Sequence, residues 1–250
     1  MAGGKIYFIS DAHLGLPAKD SSLVRERYLV GLLEQARHDA SEVFLLGDIF
    51  DFWFEYKRVV PRGFTRLLGK LAELTDAGIP VHFFTGNHDV WVFDYLPAEV
   101  GVVIHREPIT VERFGKRFYL AHGDGLGPGD RGYKLLKAIF TNKFLQWAFA
   151  RLHPNLAMWF GHKWSYSSRY SKALFNDFEG ASEDLYKHSM EVLKKEYFDY
   201  FVYGHRHARA LMPLGDSGAT IAVLGDWIVN YSYGVFDNGN FEILNYRRNE

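Results

Sequence analysis

Five apolar runs in this sequence each end abruptly in a cluster of Asp, His or Asn residues. The runs and the polar residues that follow them are IYFIS before Asp11 and His13, VFLLG before Asp48, VHFFTG before Asn87, His88 and Asp89, FYLA before His122, and FVYG before His205 and His207. A single cluster of this kind is ordinary turn chemistry. In an α/β sheet, however, the strands deliver side chains from distant sequence positions to one crevice beyond their carboxyl ends. The repetition therefore predicts five buried strands whose ends contribute to one shared site.

The residue types at these strand ends indicate a metal site. The set contains carboxylates, imidazoles and an amide, and the chain has no cysteine. Mixed ligation of this kind suits Mn, Fe, Zn or Mg rather than soft metals. There are more ligands than one ion needs. Two ions roughly 3.5–4 Å apart, bridged by a carboxylate and a water, would use them all and activate water near neutral pH.

Composition excludes several other classes of protein. The 250 residues suit one large domain or a domain with an insertion, and 48% hydrophobic with 24% charged residues is typical of a soluble globular chain. A formal net charge of -1 gives no global attraction to nucleic acid, so no nucleic-acid partner is expected, and no protein partner is inferred. No apolar stretch approaches the roughly 20 residues that span a bilayer. Since the absence of cysteine also suits a reducing compartment, we expect a cytoplasmic protein.

Short runs rich in Ile, Val, Phe and Tyr alternate with segments of helical periodicity, which predicts an α/β fold. The predicted strands are residues 5–10, 43–47, 81–85, 102–104, 109–113, 117–121, 199–203, 220–224 and 228–236. The predicted helices are residues 21–38, 62–77 and 182–196. The first helix begins with a Ser cap and places Leu29, Leu32, Leu33 and Ala36 on one face. The segments RFGKR and DNGN have the composition of hairpin turns, so a mixed sheet is expected.

Residues 133–178 break this rhythm and predict a helical insertion in a core formed by residues 1–132 and 179–250. Apolar residues keep helical spacing from Leu136 to Leu152 and Pro154 interrupts it, so two or more helices are expected. The segment holds a dozen aromatic residues, more than one packed helix face needs, and a pocket for apolar chains would use the excess. Its basic residues fit either an anionic surface or a simply solvated face. They are Lys137, Lys143, Arg151, Lys163, Arg169 and Lys172.

The ordered motifs D-x-H, G-D-x-x-D, G-N-H-D, H-G-D and G-H-x-H, between residues 11 and 207, resemble those of the calcineurin-type metallophosphoesterases. The resemblance implies a four-layer α/β/β/α sandwich of mixed sheets with a helical lid insertion. It also implies two divalent metal ions, with Mn expected first and Mg, Fe or Zn as alternatives. The residues that it assigns to the metals are Asp11, His13 and His207 for one ion, Asn87, His122 and His205 for the other, and Asp48 as the bridge.

The same resemblance implies catalytic roles for His88 and Asp89. His88 is expected to face the phosphate as a cation or proton donor rather than bind a metal, and Asp89 is expected to orient its imidazole. Asp51 and Asp124 are either supports for the ligands or ordinary turn residues.

A narrower resemblance concerns the substrate. The segments GDIFDFW and HGDGLGPGDRGYK, followed by the aromatic and basic insertion, look like the UDP-2,3-diacylglucosamine hydrolases of lipid A synthesis. Those enzymes cleave a pyrophosphate to give UMP and 2,3-diacylglucosamine 1-phosphate, under a lid that covers the acyl chains. The resemblance implies a lipid-linked UDP-sugar as substrate and peripheral association with the anionic cytoplasmic face of the inner membrane. The substrate contacts that it implies are Asn87, His88, Asp130, Tyr133, Arg169, Ser171, Lys172 and His205.

One position departs from that pattern, because the best-known hydrolases carry Arg after the Asn where this chain has His88. The chain is therefore either a divergent branch of the same hydrolases or a soluble phosphoesterase acting on nucleotides or other phosphoesters. A non-catalytic binding module on the same fold is a third interpretation, but such modules usually lack some of the ligands, and none is missing here.

Overall fold

Eleven strands form two sheets in the computed structural model, which describes residues 4–127, 131–170 and 177–246. The strands are β1 (Lys5–Ile9), β2 (Ala40–Leu45), β3 (Val81–Phe84), β4 (Val103–His105), β5 (Ile109–Arg113), β6 (Lys116–Ala121), β7 (Tyr200–Tyr203), β8 (Arg209–Pro213), β9 (Thr220–Leu224), β10 (Ser232–Asp237) and β11 (Asn240–Asn245). The first sheet has the order β11-β10-β1-β2-β3-β4 and the second the order β5-β6-β7-β9-β8.

Both sheets are mixed, as the sequence predicts. Strands β1 to β4 pair in parallel, and so do β6, β7 and β9, whereas β10 lies antiparallel to β1. The hairpins β5–β6 and β10–β11 turn at Phe114–Gly115 and Asn238–Gly239, where all four residues have positive φ. Two consecutive left-handed residues are the geometry of a two-residue hairpin whose twist matches that of its strands.

The helices of the core are α1 (Ser22–Ala36), α2 (Thr65–Asp76), α3 (Tyr95–Val100) and, after a short 3₁₀ turn at Gly180–Ser182, α7 (Asp184–Leu193). They cover the outer faces of the sheets. One apolar cluster joins Leu29 of α1 and Leu67 of α2 to the first sheet, a second, containing Phe8 and Phe118, fills the space between the sheets, and a third joins Leu185 of α7 to the second sheet. This is the expected four-layer α/β/β/α order.

The differences from the sequence predictions have local causes. The predicted strand 228–236 begins only at Ser232, because the Asp226 carboxylate accepts hydrogen bonds from the backbone of Ile228 and Val229 and folds that segment into a turn. Helix α3 was missed because six residues that include a proline are too short for helical periodicity. Strands β8 and β11 were also missed; β8 alternates between exposed and half-buried residues and forms the edge of its sheet.

The described residues of the segment predicted as an insertion form three helices, α4 (Arg131–Thr141), α5 (Lys143–Phe149) and α6 (Pro154–Tyr170). Pro154 does more than interrupt the preceding helix, since it occupies the first position of α6, where its missing N–H costs nothing. The helices dock on an aromatic cluster of the core that contains Phe52 and Trp91, and the Trp91 indole donates to the carbonyl of Phe140 at 2.7 Å. No helix in the described part of the chain is long and apolar enough to span a bilayer.

We expect the face of α1 to make a large contribution to the stability of the core. Leu33 is 0% exposed, whereas Leu23 on the same helix is 42% exposed. Leu33→Ala should lower the free energy of unfolding by about 2–5 kcal/mol, because it removes buried methyl groups and leaves a cavity. Leu23→Ala is the matched control and should change it by no more than about 0.5 kcal/mol. Denaturant titration checks both, and equal effects would contradict this packing.

Candidate metal centre

The polar residues that follow β1, β2, β3, β6 and β7 meet at one end of the two sheets. Two groups of side chains there bring ligand atoms within 4.8 Å of one another, namely Asp11, His13 and His207, and Asp48, His122 and His205. The Asn87 amide oxygen lies 3.4 Å from His122 Nε2 and so joins the second group. All seven residues that the resemblance assigns to metals are therefore brought together.

The first group is arranged around one carboxylate oxygen. Asp11 Oδ1 lies 3.7 Å from His13 Nε2 and 3.6 Å from His207 Nε2. This oxygen is buried and accepts no hydrogen bond from any described residue, whereas Oδ2 of the same carboxylate accepts from the His205 backbone N–H at 2.8 Å. A buried carboxylate oxygen without a hydrogen bond is costly. A cation between this oxygen and the two imidazoles would satisfy it, so the donor set fits a metal ion.

Asp48 links the first group to the second. Its Oδ2 lies 3.6 Å from His13 Nε2 and 3.5 Å from His122 Nε2, while its Oδ1 accepts from the His88 backbone N–H at 2.8 Å. Because one oxygen faces an imidazole of each group, the carboxylate has the position that a bridge between two cations needs.

The backbone around His122 prepares its ring for a metal. Its Nδ1 lies 2.7 Å from the carbonyl oxygen of Leu46, which can only accept, so Nδ1 carries the proton and donates. The other nitrogen, Nε2, then points at Asp48 and Asn87 as the one that a metal can take. A second partner that fixes the tautomer in this way is usual for metal-binding histidines.

The pKa values of the metal-free site show how strongly its groups compete for protons. Burial raises the pKa of Asp11 to about 7 and lowers that of His205 to about 3. Burial alone would lower the pKa of His122, but the Asp48 carboxylate outweighs it and raises the value to about 10. His122 thus holds a proton at neutral pH when no metal is bound. Since a metal ligand must be deprotonated, metal binding should release this proton and strengthen as the pH rises toward about 10.

Five of the seven residues have backbone conformations that L-amino acids rarely adopt. Their φ values are 52° at Asp11, 41° at His13, 52° at Asp48, 67° at His205 and 55° at His207. Each such residue costs about 1–3 kcal/mol and persists only where the surrounding structure determines it. The strained conformations turn the side chains inward directly after the strands, a feature that the sequence alone did not reveal.

Close packing of the backbone adds to this constraint. A Cβ on Gly204, just before His205, would lie 2.6 Å from Asp11 Oδ2 and 2.7 Å from Ser10. Only glycine therefore lets the second sheet approach the first closely enough for His205 and Asp11 to share the site.

Arg25 braces the first ligand loop and was not recognised from the sequence. Its guanidinium is buried and donates to the carbonyl oxygens of Ala12 at 2.7 Å, His13 at 3.2 Å and Leu16 at 2.5 Å. A signal was present, because Arg25 falls on the same face of α1 as Leu29 and the other buried leucines.

The hydrogen bonds of Asp89 give it a different role from the one predicted. Its carboxylate accepts from the backbone N–H groups of Gly86 at 2.7 Å, Asp48 at 3.3 Å, Ile49 at 2.8 Å and Phe50 at 3.3 Å. Asp89 thus ties the loop after β3 to the loop after β2. It orients the backbone that carries Asp48 and Asn87 rather than the ring of His88.

The ring of His88 is held by other residues. Its Nδ1 lies 3.0 Å from the Asp51 carbonyl oxygen and 3.1 Å from Ser165 Oγ, and its ring stands edge-on to that of His13 with the centroids 4.8 Å apart. His13, Asp51 and His88 also lie close enough together to hold a cation. The His88 nitrogen that faces Asp51 is Nδ1, and its hydrogen bonds to the Asp51 carbonyl and Ser165 compete with a cation for that nitrogen.

The insertion contacts Asp51 and Asp124, the two carboxylates that the sequence suggested either support the ligands or belong to ordinary turns. Lys137 of α4 lies 3.0 Å from Asp124 Oδ2, and Ser165 of α6 donates to Asp51 Oδ1 at 2.7 Å. His162 Nδ1 of α6 lies 3.5 Å from Asp51 Oδ2. Asp51 and Asp124 are therefore two of the points at which the described residues of the insertion meet the candidate centre.

The predicted substrate contacts in the insertion and in the segment just before it stay predictions. Asp130, Ser171 and Lys172 lie outside the described residues, and at Tyr133 and Arg169 the description extends to the helical backbone only.

Comparison with known proteins decides the family. The family model for calcineurin-like phosphoesterases matches residues 4–209. The chain belongs to this family. Membership in a family of metallophosphoesterases, together with the two groups of ligands, makes this phosphoesterase a metal-dependent hydrolase that uses divalent ions.

Several curated relatives resemble this phosphoesterase over nearly its whole length. The UDP-2,3-diacylglucosamine hydrolase of Porphyromonas gingivalis is 43% identical over 247 residues, which are 93% of this chain and 94% of that protein. The hydrolase of the same name from Aeromonas hydrophila is 29% identical, over 88% of this chain and 89% of that protein. Among solved structures, Yfce, a phosphoesterase from E. coli, matches with a TM-score of 0.50 and 16% identity over 98% of this chain and 95% of that one, which bears on the fold alone.

The shared position of Asp48 predicts the metal content of variants. Asp48→Ala should remove both ions, because its Oδ2 faces both groups, whereas His13→Ala should remove mainly one. Elemental analysis of the purified variants measures this, with the exposed Asp216→Ala as a control that keeps both ions. Retention of two ions by Asp48→Ala would rule out the bridge.

Proposed function

We propose that this phosphoesterase cleaves the pyrophosphate of UDP-2,3-diacylglucosamine to UMP and 2,3-diacylglucosamine 1-phosphate. Relatives that carry the name of this hydrolase cover nearly the whole chain. The structural observation that carries the proposal is the position of Trp91. It follows the loop of Asn87 and His88, and it also lines an apolar cavity under the insertion. A phosphate site and an apolar site are thus joined by one loop.

The geometry of the two groups supports the assignment of metal ligands that the family resemblance implies. We assign Asp11, His13 and His207 to one ion, Asn87, His122 and His205 to the other, and Asp48 to both, with Mn as the first expectation for the metal. Bound divalent ions would supply the Lewis-acid chemistry that activates water and neutralises the charge of a pyrophosphate.

His88 would supply the proton for the leaving group. Two acceptors face its Nδ1, the Asp51 carbonyl at 3.0 Å and Ser165 Oγ at 3.1 Å, so Nδ1 keeps its proton. The proton given to a phosphate oxygen would come from Nε2 of the imidazolium form, which leaves the neutral ring with its proton on Nδ1. Its backbone N–H donates to Asp48 Oδ1 at 2.8 Å, which fixes the residue beside the proposed bridge. His88 would thus stabilise the charge that develops on the phosphate as the pyrophosphate bond breaks.

The cavity under the insertion fits acyl chains. Its volume is about 420 Å³, within the usual range of ligand pockets, and its lining is almost entirely apolar. The lining residues are Trp91, Ile139, Phe140, Leu145, Gln146, Ala148, Phe149 and Leu152. Helices α4 and α5 supply most of this wall, so the insertion would act as the lid over the lipid part of the substrate.

The outer surface of the insertion supports peripheral binding to a membrane. Large apolar side chains are exposed on all three of its helices, namely Leu135, Phe144, Trp147, Trp159, Phe160 and Trp164. Arg151 lies over the Trp147 ring and Lys163 over the Trp159 ring, 4.8 Å and 4.9 Å from the centroids. Apolar rings beside cations suit the headgroup region of an anionic bilayer, and we assign this surface to the cytoplasmic face of the inner membrane.

His88→Ala tests the proton donor. Turnover should fall by roughly 10²–10⁴-fold, the usual effect of removing a positioned acid or base, while both metals remain. Steady-state kinetics and elemental analysis on the same preparation measure the two quantities. A parallel loss of metal would show that His88 is a ligand, and unchanged turnover would show that it is neither ligand nor donor.

The cavity predicts a strong preference for acylated substrate. Each buried methylene contributes about 0.8 kcal/mol, so six approach about 5 kcal/mol, more than about a thousandfold in affinity before ordering costs. The value of kcat/KM for UDP-2,3-diacylglucosamine should therefore greatly exceed that for UDP-glucose. A charge in the cavity wall, Ile139→Asp, should remove most of this preference without loss of metal.

Leu156→Asp on α6 is the matched control, because Leu156 is 44% exposed, as Ile139 is, but does not line the cavity. It should keep the preference, and thermal unfolding should show both variants folded. Equal turnover of acylated and non-acylated UDP-sugars by the wild type would contradict the lipid substrate and favour a soluble phosphoesterase that acts on nucleotides or other esters.

A further inference from the structure

Ser165 of α6 lies between the side chains of Asp51 and His88, at the edge of the candidate centre. Its side chain is almost fully buried, with the residue 1% exposed. Its Oγ lies 2.7 Å from Asp51 Oδ1 and 3.1 Å from His88 Nδ1. A residue of the insertion thus reaches the imidazole to which we assign proton donation.

The chemistry of the three groups fixes the direction of these hydrogen bonds. Ser165 donates its single hydroxyl proton to Asp51 Oδ1. The serine oxygen can then only accept from His88 Nδ1, as the Asp51 carbonyl oxygen also does. Two acceptors on one side of the ring fix both its rotation and the position of the Nδ1 proton.

The packing of α6 places Ser165 at this point. Met158, Gly161, His162 and Ser165 have the spacing of one helical face. Met158 packs on the aromatic cluster of Phe52, and a Cβ on Gly161 would overlap the Phe52 ring, so the helix can approach the core only with glycine at that turn. One turn later, the same face presents the serine hydroxyl to Asp51.

We propose that Ser165 is a positioning residue through which the insertion orients His88. The inference rests on the proposed function, since it concerns the group that donates the proton in that reaction. The contacts from Asp51 through Ser165 to His88 would hold the His88 ring toward the phosphate. The insertion that supplies the wall of the apolar cavity through α4 and α5 would therefore also complete, through α6, the geometry of the proton donor.

Ser165→Ala removes one acceptor at His88 Nδ1 and keeps the Asp51 carbonyl. We expect kcat to fall by about tenfold, the size of effect expected for a lost hydrogen bond in a charged network. The KM and the content of two metals should stay unchanged, because the substitution touches neither the cavity nor the ligands.

Ser189→Ala is the matched control, a buried helical serine of 0% exposure on α7 that bonds to Tyr203. It should leave kcat unchanged even if it lowers stability.

A double-mutant cycle separates positioning from a general structural role. In a His88→Ala background, Ser165→Ala should cause no further loss of kcat, because the ring that it positions is gone. Losses that multiply, a change confined to KM, or loss of metal in Ser165→Ala would each overturn the proposal.

Two substrates keep this test distinct from that of the proposed function. The cycle is measured with UDP-2,3-diacylglucosamine and with bis(p-nitrophenyl) phosphate. If the wild type cleaves only bis(p-nitrophenyl) phosphate, the lipid assignment fails, while the cycle on that substrate still decides the role of Ser165. Absence of turnover on both substrates would overturn the proposed hydrolase activity and, with it, the positioning role.

Discussion

The rest of the centre depends on the contacts that the Asp48 carboxylate makes with both groups of ligands. Its Oδ2 lies 3.6 Å from an imidazole that follows β1 of the first sheet and 3.5 Å from one that follows β6 of the second. The two sheets are otherwise joined mainly by apolar contacts between their inner faces. At the carboxyl ends of the strands the contact becomes electrostatic, and the relative position of the sheets sets the distance between the two groups of ligands. The four-layer fold therefore fixes the distance between the two groups of ligands in the candidate metal centre.

This centre is costly for the fold, and identifiable residues hold it in place. Left-handed backbone at five ligands and an unsatisfied oxygen of Asp11 oppose folding of the metal-free chain. Arg25 ties down the first ligand loop from α1, and Asp89 collects four backbone N–H groups from the loops after β2 and β3. Both act on the backbone rather than on the ligands. Strain at the site and stability of the core are thus linked through two buried ionisable residues.

Most of the fold and the candidate ligands could be predicted from the sequence, because both depend on patterns that are local in the chain. The apolar runs and their polar endings identify the strands, and the ordered motifs identify Asp11, Asp48 and the histidines. What could not be predicted depends on contacts between distant segments. The role of Asp89 follows from backbone groups some 40 residues away, as in its bond to Ile49. The contact of Ser165 with Asp51, 114 residues away, needs the docked insertion. Such contacts leave no periodicity in the sequence.

The central claim is that these strand ends hold two metal ions that share one carboxylate. Crystals grown with Mn²⁺ and measured near the manganese absorption edge test it most directly, because anomalous scattering locates the metals independently of any mechanism. The account predicts two peaks roughly 3.5–4 Å apart, one beside Asp11 and His207 and one beside His122 and His205, with Asp48 between them. A single peak, or two peaks that do not share Asp48, would contradict it.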